Sequence, residues 1–260
     1  MKLIFATGNK GKLREAREIL GPGYEVLSPA DLGLDAEVEE TGSTFQENSL
    51  IKAKYLYGQC GLPCFADDSG LEVDALGGAP GIYSARYASD HDFSKNIDRV
   101  LEELSALEVS GTATPKNRLA SLDPTIPLRS MVPPLTMPRV AWVFGGSVPE
   151  TPTFPGAARF RCVATLILED GTPHFFDGSC EGRIARQRCG RGGFGYDPVF
   201  VPDLPSSLIP EPSSLIPGSD PESPSTRVLT MAELPEDVKN AISHRGAALR
   251  RMAEFLENCR

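Results

Sequence analysis

Short apolar stretches and helical patterns follow one another along most of the chain. Residues 2–6 are mainly apolar and predict a short buried strand. Residues 10–20 place apolar side chains at helical spacing, and the Gly-Pro-Gly sequence at 21–23 ends that pattern. The chain is therefore predicted to open with a strand, a Thr-Gly-Asn turn and a helix.

The same signals predict further elements in the first half of the chain. A capping-box pattern at Thr44 marks the expected start of a second helix. Residues 62–66 predict a short apolar strand. Residues 94–107 again show helical spacing, and Ser94 is the expected N-cap of that helix.

Strands and helices also interleave in the second half. Residues 158–168 and 174–181 predict two strands joined by a hairpin-like turn. A helical pattern over 235–258 is interrupted near 243–246. The order of the elements predicts an α/β or α+β protein with a mixed sheet. A length of 260 residues allows one large domain or two small ones, and one domain over residues 1–260 is the prediction.

Two segments depart from this alternation because they are rich in proline. Residues 109–156 show few periodic patterns, and residues 202–226 are rich in proline and serine. Both are predicted to be insertions within the domain. A disordered loop is the favoured interpretation of the first insertion, and its apolar pieces leave a packed subdomain open.

Composition and charge narrow the classes of partner. The net charge of −9 argues against a long polyanion bound on a broad basic surface, so no nucleic-acid partner is expected. No apolar run reaches the roughly 18 residues that a membrane helix needs, so no membrane partner is expected either. Without a secretion signal a cytoplasmic protein is expected, and its six cysteines are predicted to be free thiols.

The turn between the first strand and the first helix is a candidate phosphate site. Residues 7–12 read Thr-Gly-Asn-Lys-Gly-Lys, which combines small residues, lysines and a helix start. Free N–H groups at a helix start favour an anion. An ordinary strand-to-helix turn is the alternative, because the spacing of a Walker A loop is missing.

Adjacent carboxylates are a candidate metal site. Asp67 and Asp68 follow the strand predicted over 62–66, and an acidic run lies at 37–40. Carboxylate oxygens are ligands for hard cations such as Mg²⁺. The alternatives are a turn with an aspartate cap and a solvated acidic surface.

A glycine-rich segment is a candidate site for a flat ligand. Residues 190–197 read GRGGFGYD, in which Phe194 or Tyr196 can stack on a base and Asp197 can accept hydrogen bonds. The predicted last helix opens with His244 and Arg245, although a lone histidine is more often structural.

Taken in order, these clusters resemble the inosine-triphosphate pyrophosphatase family, also called the Ham1-like family. The stretches that carry the resemblance are ATGNKGK (6–12), EETGSTFQENSLIKAK (39–54), ADDSGLEVDALGGAPGIYSARYA (66–88), GGFGYDPVF (192–200) and KNAISHRGAAL (239–249). They cover most of the chain outside the two insertions.

The resemblance implies roles for individual residues. Glu40 and Asp68 would hold Mg²⁺, Asp68 would also act as general base toward water, and Asp67 would support the site. Phe194 would stack on the base. The residues implied to bind the nucleotide are Thr7, Gly8, Asn9, Lys10, Gly11, Lys12 and Lys52 for the triphosphate, Ser69, Phe194, Gly195, Tyr196 and Asp197, and Lys239, His244 and Arg245 for the 6-oxo group of the base.

The resemblance also implies an architecture and an activity. The expected fold is an elongated, twisted mixed sheet with flanking helices, in two lobes around a nucleotide cleft, and the expected assembly is a homodimer. The expected reaction converts dITP, ITP and XTP to the monophosphate and pyrophosphate, which cleanses the nucleotide pool. A pyrophosphatase for pyrimidine or modified nucleotides, as in the Maf-like relatives, and an inactive nucleotide-binding protein are the competing interpretations.

Overall fold

A computed structural model of the chain describes residues 1–35, 37–110, 153–205, 208 and 229–259, and the predicted mixed α/β class is confirmed there. The strands are β1 (Lys2–Phe5), β2 (Glu25–Leu27), β3 (Cys64–Val73), β4 (Ala158–Ile167), β5 (Pro173–Ile184) and β6 (Phe200–Pro202). The α-helices are α1 (Lys10–Leu20), α2 (Phe45–Cys60), α3 (Phe93–Val109), α4 (Glu236–Ile242) and α5 (His244–Asn258).

The described strands form one six-stranded sheet in the order β2-β1-β3-β4-β5-β6. β1 is parallel to both of its neighbours, and the remaining pairs are antiparallel. The longest ladders join β3 to β4 and β4 to β5. In the first of these, Cys64 is paired with Ile167 at one end and Val73 with Ala158 at the other.

Three predictions from local signals are confirmed. α1 begins and ends as the apolar spacing of residues 10–20 indicates. Thr44 is the N-cap of α2, and its hydroxyl accepts a hydrogen bond from the Glu47 backbone N–H at 3.1 Å. Ser243 separates α4 from α5 and caps α5 by accepting a hydrogen bond from the Gly246 N–H at 2.8 Å.

Two element boundaries differ from the prediction. The strand expected over 62–66 continues to Val73, so Asp67 and Asp68 lie within a strand and not at its end. The antiparallel ladder to β4 holds the backbone extended through these polar residues. α3 is capped by Asp92 and not by Ser94, because the Asp92 carboxylate accepts the Lys95 N–H at 3.1 Å.

Most of the two proline-rich segments lies outside the described residues, so the expected disorder is not tested. The end of the first segment nevertheless belongs to the fold. Thr153 forms a β-bridge with Ala185, and the Phe154 side chain is buried. Thr153 and Phe154 thus pack against the domain, and Pro202, the first residue of the second segment, belongs to β6. That the two segments are insertions stays a prediction.

Side-chain alternation along the strands divides the core between the two faces of the sheet. The buried residues on the face covered by α1 and α5 include Leu3, Phe5, Phe65, Ala164, Leu249 and Met252. Those on the face covered by α2 include Ile4, Cys64, Ala66, Ala53 and Leu56. A third cluster, near α3 and β6, includes Leu71, Ile97, Val100, Phe160 and Phe200.

The backbone of α5 lies close to the sheet at Gly178 in β5. A Cβ atom added at this glycine would lie 2.1 Å from the carbonyl oxygen of His244 and 2.5 Å from the backbone nitrogen of Ala248. Distances this short leave no room for any side chain. The backbone of α5 therefore rests directly against the strand.

The cysteines are free thiols, as predicted, and Cys162 is buried in the core. None of the helices that the structure describes combines the length and the apolar character of a membrane span.

Candidate active site

The carboxylates of Asp67 and Asp68 lie on opposite faces of β3, because successive side chains of a strand alternate. Asp67 shares its face with Phe65, which packs in the core under α1 and α5. Asp68 shares its face with Ala66, which packs under α2. Both carboxylates are buried, with relative exposures of 2% and 8%.

Asp67 is held by two cations from distant parts of the chain. Its carboxylate accepts hydrogen bonds from Lys12 Nζ at 3.0 and 3.1 Å and from Arg245 Nε at 2.9 Å. Burial alone would raise the pKa of Asp67, but Lys12 and Arg245 hold that pKa well below its usual range. Asp67 is therefore a permanent anion that fixes the ends of α1 and α5 against the sheet.

Residues 7–11, around the start of α1, form an open rim beside Asp67 and its two cations. The Asn9 side chain accepts hydrogen bonds from the backbone N–H groups of Gly11 at 2.8 Å and Lys12 at 3.2 Å. Thr7 Oγ1 accepts the Asn9 N–H at 3.1 Å. The rim is exposed from Gly8 to Gly11, and three N–H groups of this region already donate to the Thr7 and Asn9 side chains.

Asp68 faces a second set of polar groups around α2. Its carboxylate accepts hydrogen bonds from Lys52 Nζ at 3.0 Å and from Asn48 Nδ2 at 3.3 Å. Lys52 Nζ also donates to Glu40 Oε1 at 2.7 Å. Burial raises the pKa of Asp68 against the opposing effect of Lys52, and the nearby Glu40 raises it further.

Arg86 brings a second cation to the Asp68 side. Its Nη1 lies 3.7 Å from Glu40 Oε2, and its guanidinium lies 5.4 Å from the centre of the Tyr83 ring. Burial would raise the pKa of Glu40, but Lys52 and Arg86 keep it below its usual value. Arg86 was not singled out as a candidate, although it lies within the SARYA stretch that carries the resemblance.

Glu15 is a further residue that the sequence did not mark. Its carboxylate accepts hydrogen bonds from Arg245 Nη1 at 2.7 Å and from Ser243 Oγ at 2.8 Å. Arg245 Nη2 donates to Ser69 Oγ at 3.4 Å. These hydrogen bonds position the Arg245 guanidinium against Glu15, Asp67 and Ser69. The expected contact of Arg245 with the 6-oxo group of the base stays a prediction.

The glycine-rich segment brings together three of the residues expected at the base. Asp197 Oδ2 accepts hydrogen bonds from Lys239 Nζ at 2.5 Å and from the Phe194 N–H at 3.0 Å. Lys239 Nζ lies 5.6 Å from the centre of the Phe194 ring, which is 55% exposed. Gly193 has a φ of +75°, and a Cβ there would lie 2.1 Å from Asp197 Oδ2, so the turn requires glycine.

Tyr196 differs from Phe194 in its surroundings. Its ring is buried in the core cluster near α3, and its hydroxyl donates to the Ser84 carbonyl at 2.9 Å. This burial favours Phe194 over Tyr196 as the ring that stacks on a base, and a place for Tyr196 in the wall around the base stays a prediction. The backbone of Gly195 and Tyr196 still belongs to the turn that presents Phe194.

His244 lies at the start of α5, between the Asp67 cluster and Lys239. Its ring stacks on Phe160 with 4.9 Å between centroids, and its buried Nδ1 has no hydrogen-bond partner among the described residues. Burial, assisted by the neighbouring Arg245, lowers the pKa of His244 well below its usual range. The imidazole is therefore neutral near pH 7, with one N–H donor and one acceptor.

The chain is similar to known proteins along most of its length. A model of the Ham1 family matches residues 3–128 and 152–255. A dITP/XTP pyrophosphatase of Porphyromonas gingivalis is 36% identical over 256 residues, which is 98% of this chain and 97% of the relative. A dITP/XTP pyrophosphatase of Photorhabdus laumondii is 37% identical and covers 99% of this chain and 98% of its own length.

Solved structures give the same result. The chain superposes on the Ham1 protein of Staphylococcus aureus with a TM-score of 0.67 and 30% sequence identity, and the match covers 100% of both chains. The two chains are therefore alike in sequence as well as in fold.

Proposed function

Because this chain belongs to the Ham1 family, we propose that it hydrolyses dITP, ITP and XTP between the α- and β-phosphates, releasing the nucleoside monophosphate and pyrophosphate. The observation that carries the proposal is the environment of Asp68. This carboxylate is buried, has a raised pKa, and shares Lys52 with Glu40. A site of this kind combines a base with cations that can neutralise phosphate charge.

Asp68 is the proposed general base. A carboxylate whose pKa is raised toward neutrality accepts a proton more readily while it remains ionised at the working pH. In the reaction, a water attacks the α-phosphorus and its proton passes to the Asp68 carboxylate. The bond from the α-phosphorus to the bridging oxygen breaks, and pyrophosphate leaves with that oxygen.

Cations on both faces of β3 can stabilise the leaving pyrophosphate. Lys12 lies at the start of α1 beside the exposed rim, and Lys52 lies next to Asp68. Both lysines carry a positive charge that can offset the negative charge developing on the pyrophosphate. This supports the expectation that the segment from Thr7 to Lys12 and Lys52 bind the triphosphate.

Glu40 and Asp68 are the residues that would hold Mg²⁺. The fit rests on Lys52 Nζ, which lies 2.7 Å from one carboxylate and 3.0 Å from the other and so marks a point where both oxygens already surround a cation. Two carboxylates suit Mg²⁺, which in phosphate sites completes its shell with phosphate oxygens and water. When bound, the ion neutralises phosphate charge and lowers the pKa of a coordinated water.

Selection of the base is proposed to rest on Phe194 and Lys239. The exposed Phe194 ring offers a stacking surface, and Asp197 holds the Lys239 ammonium beside it. A fixed donor favours a 6-oxo group and disfavours a 6-amino group, because the donor is left unpaired beside the wrong base. ATP is therefore expected to be a poor substrate.

Pyrophosphate release from ITP, dITP, XTP, ATP, GTP and dTTP, with Mg²⁺ and with EDTA, tests the proposal. We expect Mg²⁺-dependent release from the first three and little from ATP or dTTP, and a loss of at least about 100-fold in Asp68→Asn. Asp74→Asn, at an exposed position of the same segment, is the matched control. Preference for dTTP would assign the chain to the pyrimidine-cleaving relatives, and no turnover by folded protein would indicate a binding protein.

The homodimer and the cytoplasmic location remain proposals that the resemblance supports. Sedimentation velocity of the full chain tests the first, and a monomer at micromolar concentration would contradict it.

A further inference from the structure

Lys52 lies at the point where the two carboxylates of the proposed metal site converge. Its ammonium is within hydrogen-bond distance of Glu40 and of Asp68, and its side chain is only 13% exposed. The Asn48 amide occupies the second oxygen of Asp68 by donating to it at 3.3 Å. A divalent ion that binds to both carboxylates must therefore displace the ammonium of Lys52.

The charges around this point are already balanced. Glu40 and Asp68 are the anions, and Lys52 and Arg86 are the cations within 4 Å of them. The third carboxylate, Asp67, is paired with two cations of its own, Lys12 and Arg245, on the other face of β3. A hard divalent cation is attracted by net negative charge, and this site offers almost none in the free protein.

A triphosphate changes that balance. Its oxygens supply several negative charges and further ligands for a divalent ion. They also offer the ammonium of Lys52 new acceptors in exchange for Glu40 and Asp68. The long side chain of Lys52 has the rotamer freedom to follow them.

We propose that Lys52 excludes divalent cations from the free protein, so that the metal enters only with the phosphates of the nucleotide. The inference rests on the proposed function, since it assigns to Lys52 the control of the order in which metal and nucleotide bind. The substrate is then the metal–nucleotide complex, and free metal in the cell does not occupy the site between turnovers.

Mn²⁺ binding to the full-length protein without nucleotide tests the proposal independently of turnover. Hydrated Mn²⁺ gives a sharp electron paramagnetic resonance signal that is lost on binding. Wild type is expected to leave the signal unchanged up to millimolar Mn²⁺. Lys52→Met, which keeps the aliphatic chain and removes the charge, is expected to bind at least about tenfold more tightly.

Three further variants locate the effect. Lys54→Met removes an exposed lysine of the same helix and is expected to behave as wild type. Combining Lys52→Met with Glu40→Gln should abolish the gained affinity, because one of the two carboxylates is lost. Lys52→Gln serves as a second uncharged variant, and a thermal unfolding curve establishes that each variant is folded.

The proposal is overturned if free wild-type protein binds Mn²⁺ within about twofold of Lys52→Met, or if neither protein binds it. Both outcomes are read without any substrate. They are therefore distinct from a failure of the proposed reaction, which appears as absent pyrophosphate release whatever Mn²⁺ does.

Discussion

Asp67 and Asp68 are consecutive residues of β3, yet their carboxylates are neutralised by different helices on opposite faces of the sheet. Lys12 and Arg245 hold Asp67, whereas Lys52 holds Asp68. The pKa of Asp67 is held low and that of Asp68 is raised. Two neighbouring carboxylates whose pKa values are pushed apart can take separate roles, one as a fixed anion and one as a base.

Asp67→Asn is expected to destabilise the protein by about 3 kcal/mol, because it leaves Lys12 and Arg245 facing a buried neutral amide. Urea unfolding at pH 7 measures the change. Asp74→Asn is the control: Asp74 is exposed and pairs with Arg159, so its loss should cost no more than about 1 kcal/mol. Equal losses in the two variants would contradict the structural role of Asp67.

Glu15→Gln is expected to cost about 2 kcal/mol, because the charge-assisted hydrogen bond from Arg245 is weakened in a nearly buried position. Glu18→Gln, one turn further along α1, removes an exposed pair with Arg14 and should change the free energy of unfolding by less than about 0.5 kcal/mol. A similar small effect in both variants would show that Glu15 does not tie α1 to α5.

Phe194 and Tyr196 are predicted to give opposite results although only one residue separates them. Phe194→Ala should raise KM for ITP about tenfold or more through lost stacking, and leave stability nearly unchanged because the ring is exposed. Tyr196→Phe should lose about 1 kcal/mol of stability with the hydrogen bond to Ser84, and leave KM unchanged. Steady-state kinetics and urea unfolding of both variants decide the matter, and a KM effect of Tyr196→Phe would contradict the assignment.

His244 is expected to make stability fall on acidification. Its pKa in the folded protein lies well below the value of about 6.5 in the unfolded chain, so the unfolded chain takes up the proton first. The contribution of His244 is complete above about pH 6.5 and is lost below it, by at most about 1.4 kcal/mol per pH unit. Urea unfolding at pH 7.5 and 5.5 should show a smaller drop in His244→Asn than in wild type. The exposed His91→Asn is the control and should keep the wild-type drop.

Elements with local signals could be predicted from the sequence. The Gly-Pro-Gly stop of α1, the Thr44 cap of α2 and the break at Ser243 each depend on neighbouring residues, and the structure confirms them. The length of β3 could not be predicted, because Asp-Asp-Ser-Gly is typical of a turn. Its extension depends on β4, which lies far away in the sequence.

The residues of the candidate site likewise include some that could be predicted from the sequence and some that could not. The resemblance identified Lys12, Asp67 and Arg245, and the structure brings them into contact. Glu15 and Arg86 were missed because a glutamate and an arginine amid other charged residues show no pattern that separates them from surface groups. Their importance is visible only when α1, α5 and the loop after β3 are placed together.

The contact between α5 and Gly178 limits how this protein can acquire a different nucleotide preference. Where side chains pack between a helix and a sheet, substitution by a smaller or larger residue lets the helix shift by fractions of an ångström. Here the backbone of α5 packs directly on the backbone of β5, since a Cβ added at Gly178 would lie only 2.1 Å from the His244 carbonyl oxygen. No side chain lies between them whose substitution could move the helix. A change of substrate choice that involves α5 must therefore replace side chains of this helix, because its backbone cannot move closer to β5.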